Sequence, residues 1–72
     1  MFFKINKKYR INISEIIEYG LISDGTVFKI DITFKQGQNY KYTQESEEAG
    51  TQRIAELDEI LLYHKPMGGF IE

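Results

Sequence analysis

Seventy-two residues leave room for one domain with a thin core, and a chain this short buries only about 60% of the surface its unfolded form exposes. There is no Cys for a disulfide, and a single histidine, His64, excludes a zinc framework, so close packing or self-association must supply the missing stability. A hydrophobic fraction of 42% and an aromatic fraction of 14% exclude disorder, and no apolar run approaches the roughly 20 residues a membrane helix needs.

The opening stretch MFFKINKKYR is interrupted by Lys4, Lys7 and Lys8 and lacks the apolar run of a signal peptide, so the expected location is cytoplasmic. Within it, Phe3 and Ile5 fall on one side and Phe2, Lys4 and Asn6 on the other. Lys7-Lys8-Tyr9 makes a short turn, after which Ile11 and Ile13 lie together. Residues 15–22 carry Ile17, Tyr19 and Leu21 on one face and Ile16, Glu18 and Ile22 on the other, with Gly20 as the candidate bulge. Ser23-Asp24-Gly25 is a tight-turn signal, because Gly accepts a positive φ at low steric cost. Residues 26–35 then alternate strictly, with Phe28, Ile30, Ile32 and Phe34 against Lys29, Asp31, Thr33 and Lys35, which predicts a strand with one wet face. Gln36-Gly37 turns the chain again, and residues 38–43 bring Tyr40 and Tyr42 onto a common face.

Beyond Thr43 the period changes. Ser46 followed by Glu47 and Glu48 reads as a helix N-cap with acids in the first turn, and Thr51 is a second candidate start because Gly50 weakens a helix there. Ile54, Leu57, Ile60, Leu61 and His64 recur at three- and four-residue steps until Pro66 ends the pattern. The expectation is one α+β domain over 1–72: an antiparallel meander of four to five strands (about 2–43), one amphipathic helix packed on one face (about 46–64) and an apolar tail (65–72). The expected core is Phe28, Ile30, Ile32, Phe34, Ile54, Leu57 and Leu61. Leu62 and Tyr63 fall off the helix stripe, and Phe70 and Ile71 end the tail; these four are the candidate self-association residues of a homodimer.

Catalytic chemistry has no foothold. The chain offers Ser14, Ser23 and Ser46 but only the lone His64, without the base and orienting group that nucleophilic catalysis needs. Glu56, Asp58 and Glu59 read as a solvated helix face, so no catalytic, metal or cofactor residue is assigned. Charge, by contrast, is polarised. Residues 1–43 hold seven Lys/Arg and four Asp/Glu, a net +3, whereas residues 44–72 hold two and seven, a net −5. Lys29, Lys35, Lys41, Tyr40 and Tyr42 are the candidate partner surface, since cations that follow a backbone beside aromatics that stack on bases are how single strands are bound.

Element order, strands then a helix, resembles the Whirly and transcriptional-coactivator type of single-strand-binding fold. The stretches INISEIIEY, DGTV and FKQGQNYKYTQESEE, within residues 11–61, resemble the small flagellar FlbD/SwrD-type proteins: an Asn before an Ile-Glu strand, an acidic turn with Thr, a Gly hairpin and a Glu-Ser lead into the helix. A longer entry strand, Gly25 and the Pro-Met-Gly-Gly tail depart from that family, and no functional residue carries over. The reading with the widest support is a small non-enzymatic protein-interaction module, of the cysteine-free accessory or inhibitor kind common in bacteria and their phages. Single-stranded nucleic-acid binding and a flagellar accessory role are the alternatives.

Overall fold

The computed structural model describes residues 1–63; the expected last helical residue His64, the tail 65–72 and the self-association candidates Phe70 and Ile71 lie outside the described residues. The described residues are α+β, with five antiparallel strands and one helix among them. The strands do not form a single sheet, as the sequence pattern suggested, but divide into two. Strands β1 (Phe2–Lys4) and β2 (Arg10–Asn12) pair only with each other, while β3 (Ile16–Asp24), β4 (Val27–Phe34) and β5 (Asn39–Gln44) form a second sheet in that order.

Local chemistry accounts for each connection. In the β1–β2 loop the Asn6 side-chain oxygen accepts from the backbone N–H groups of Lys8 and Tyr9, both at 2.8 Å, which folds the loop on its own side chain. A short 3₁₀ turn, Ile13–Glu15, is capped by Asn12 Oδ1 accepting from Ser14 N–H. Between β3 and β4 only Gly25 and Thr26 intervene, and Gly25 takes φ +68°, the positive first position of a II′ hairpin turn. Helix α1 (Glu47–Leu61) begins at Ser46, whose hydroxyl accepts from Ala49 N–H at 3.1 Å, so Ser46 and not Thr51 is the cap.

Gly50 is buried inside α1 because of a close approach. A Cβ there would meet a Leu21 methyl at 2.6 Å, so the missing side chain lets the helix settle against β3. The helix contacts all three strands of the larger sheet. Ile5, Ile11 and Ile13 from the β1–β2 region join Ile30, Ile32 and Leu57 in one buried cluster. Phe28 is only half-buried and stands outside that cluster, while Phe34, Ile54 and Leu61 pack on its margin. The three N-terminal isoleucines therefore take a central place that the alternation of β4 alone did not reveal.

The irregularity in β3 falls between Ile16 and Glu18, not at Gly20. One extra residue there shifts the alternation, so Ile16 rather than Ile17 joins Tyr19 and Leu21 against the core, and Ile17 is left 61% exposed.

Candidate functional site

Register decides which side chains share a face, since directly opposed residues point the same way. Tyr19, Ile32 and Tyr40 form one row across the larger sheet, and Leu21, Ile30 and Tyr42 form the next. Gly20, Asp31 and Lys41, with Ile22, Lys29 and Thr43, belong to the opposite face. The candidate surface is thus divided: Tyr40 and Tyr42 project from one face, Lys29 and Lys41 from the other. Lys35 belongs to the β4–β5 loop, where its N–H donates to the Glu15 carbonyl at 2.8 Å.

The lysines on that second face are already engaged. Lys41 Nζ donates to Asn39 Oδ1 at 2.8 Å and lies 3.7 Å from Asp31, while Asn39 in turn donates to Asp31 and to the Thr33 hydroxyl. Lys29 lies 3.9 Å from Asp24. Cations already facing carboxylates release fewer counterions to a polyphosphate than free ones do.

The tyrosines assemble something that the sequence did not announce. Tyr9, from the β1–β2 loop, lies 5.6 Å from Tyr42 between ring centroids; Tyr42 lies 6.3 Å from Tyr40, and Tyr40 6.0 Å from Phe34. Four rings from three parts of the chain make one continuous strip. Tyr9 and Tyr40 are 55% and 50% exposed, so both residues reach the surface. Burial first, and then the neighbouring Tyr40 and Tyr9, hold the Tyr42 hydroxyl above its ordinary pKa, which keeps it a neutral donor. Tyr9 stands in the sequence beside a turn and among basic residues, as Tyr40 and Tyr42 do, but nothing local ties it to Tyr42.

Two grooves flank Tyr42. One, about 580 Å³, runs between the β1–β2 loop and β5 and is lined by Lys7, Lys8, Tyr9, Lys41, Tyr42 and Glu45 among others. The second, about 290 Å³, passes over Tyr40 and Tyr42 between the 3₁₀ turn and the β4–β5 loop, with Glu15 as its one charged lining residue among the described residues. The hairpin is pinned beside β5 by Asn6 Nδ2 donating to the Thr43 carbonyl at 3.1 Å and by buried Gln44 Nε2 donating to the Ile5 carbonyl at 2.9 Å.

On the helix, Asp58 is not merely solvated: its carboxylate accepts from the Tyr19 hydroxyl at 2.7 Å, and burial together with that bond pushes the Tyr19 pKa well up. Glu56 pairs with Arg53 at 2.9 Å. Leu62 and Tyr63 follow the helix, their N–H groups donating to the Asp58 carbonyl, and the two residues are 52% and 69% exposed. Among the described residues no group of three or more His, Asp or Glu is gathered to hold a metal ion, and no helix is long and apolar enough to cross a membrane.

No known protein family, curated protein or solved structure matches this chain. The likeness to the flagellar proteins rests on the sequence stretches alone.

Proposed function

We propose that this protein is a small non-enzymatic interaction module that docks a protein partner on the Tyr9–Tyr42–Tyr40–Phe34 strip. The supporting observation is the continuous ring row with half-exposed Tyr9 and Tyr40. Tyrosine suits that role, since it offers a large rigid contact area at low conformational cost together with a polar tip. A role as an accessory or inhibitor protein follows from occupying a partner's surface rather than transforming a substrate. The division of the sheet counts against single-stranded nucleic acid, because Lys29 and Lys41 are paired with acids on the face away from Tyr40 and Tyr42.

A photo-crosslinking amino acid at position 40, compared with one at position 29 on the opposite face, tests this in cells that make the protein. A discrete protein adduct from position 40 and none from 29 is expected. Equal labelling from both positions, or none from 40, would sink the reading. So would tight binding of a mixed-sequence single-stranded oligonucleotide at low salt.

A further inference from the structure

The two grooves beside Tyr42 differ in charge, and that difference selects a ligand. Among the described residues the larger is lined by Lys7 and Lys8, by the carboxylate of Glu45, and at the strand edge by Lys41, which also faces Asp31. A smaller groove of about 220 Å³ adjoins it and adds Lys4 and Arg53 around the same Glu45. Glu45 is held below the usual carboxylate range by its hydrogen bond from Lys7 and by the Lys7 charge, with Arg53 and Lys4 contributing in the same direction. Lys7 faces Glu45, Lys41 faces Asp31 and Arg53 faces Glu56, so five cations meet three carboxylates, and Lys4 and Lys8 leave this end basic. Over Tyr40 and Phe34 the groove has no lining cation among the described residues; Asn12, Gln36 and Gln38 line it beside Glu15. Side-chain amides both donate and accept, which suits the unpaired backbone groups of an extended chain.

We infer that the partner segment is an extended peptide, proline-rich or apolar where it crosses Tyr40 and Tyr42 and acidic where it reaches the β1–β2 loop. This rests on the protein-docking reading above. A polyproline II chain rises about 3.1 Å per residue and a strand about 3.3 Å, so alternate residues recur every 6 to 7 Å, roughly. Ring centroids at 6.0 and 6.3 Å, each pair packed in contact, present successive aromatic surfaces on about that repeat. Aromatic-lined grooves hold proline-rich segments in this way because the ligand is already extended and loses little entropy. A polynucleotide fits less well, since its evenly spaced phosphates would continue past the basic end over Glu15.

Fluorescence anisotropy with the full chain tests the inference. Three labelled peptides share a Pro/Leu half and end in a run of Asp, of Ser or of Lys; labelled oligothymidylate is the fourth probe. The Asp-tailed peptide should bind about tenfold tighter than the Ser-tailed one, with the Lys-tailed peptide weakest and the advantage shrinking as salt rises. Lys4→Glu with Lys8→Glu should erase the advantage without weakening the Ser-tailed peptide, and Tyr40→Ser should weaken all three. Equal affinity for the three tails overturns the acidic end of the inference while the tyrosine strip stands. Binding of no peptide overturns the inference entirely, and crosslinking from position 40 then judges the docking reading separately. Oligothymidylate binding tighter than the Asp-tailed peptide overturns both.

Discussion

Replacing Gln44 by Met removes the amide that ties the two sheets together while keeping an unbranched side chain of similar length. Gln44 is the one buried polar or charged residue among the described residues, and its Nε2 donates to the Ile5 carbonyl at 2.9 Å and to the Tyr42 carbonyl at 3.3 Å. The shorter bond joins the end of β5 to the residue after β1. Methionine cannot donate, so the Ile5 carbonyl loses this partner inside the fold. An orphaned buried acceptor costs about 1–3 kcal/mol, and a mid-range loss of about 2 kcal/mol in a chain this small lowers Tm by roughly 8–16 °C. Thermal melting by circular dichroism reads the loss, and amide hydrogen exchange locates it. The Ile5 and Ile13 N–H groups, bonded to the Tyr9 and Met1 carbonyls, should exchange faster while the β3–β4 ladder changes least. Gln44→Glu should be worse at neutral pH, since it sets a carboxylate against two carbonyl oxygens. Burial would raise the folded pKa of that carboxyl, so its penalty should vanish as pH falls below the unfolded carboxyl pKa of about 4.3. A Gln44→Met protein within about 0.5 kcal/mol of the parent, with unchanged exchange at Ile5 and Ile13, would refute the idea that this amide fastens the hairpin.

Ile32→Ala, Ile5→Ala and Leu57→Ala should each cost about 2–5 kcal/mol in urea unfolding, whereas Ile17→Thr at the exposed bulge should stay within about 0.5 kcal/mol. Gly25→Ala meets open space but is forced to a φ of +68°, so it should cost about 1–2 kcal/mol by melting, with Gly25→Asn costing less. Tyr19 has its folded pKa raised above the ordinary value of about 10, so its contribution is complete below pH 10, roughly, and is lost as pH rises beyond it. Alkaline titration at the phenolate absorbance should show Tyr19 ionising late, together with unfolding, and Asp58→Asn should bring that transition to lower pH.

Much of the local structure was legible in the residues. The strict alternation of 26–35 specified a strand with one wet face, the Gly25 and Gly37 turns appeared where positive φ is needed, and Ser46 with Glu47 and Glu48 opened the helix. Each of these is set by neighbours a few residues away, which is why a sequence alone shows it. Which face of β3 turned inward was not legible, because one extra residue at Ile16–Glu18 inverts the alternation and no local preference announces it. Gly50 looked like a weak point in a helix and is instead the place where Leu21 comes closest. The separate β1–β2 hairpin, the buried Gln44 and the tyrosine strip depend on contacts between distant segments: Ile5 with Gln44, Tyr9 with Tyr42, Asn6 with Thr43. Residue order determined the elements through period, turn chemistry and capping. Only the tertiary structure decided that Tyr40 and Tyr42 would meet Tyr9 and Phe34, because strand pairing and register, not composition, set which side chains meet.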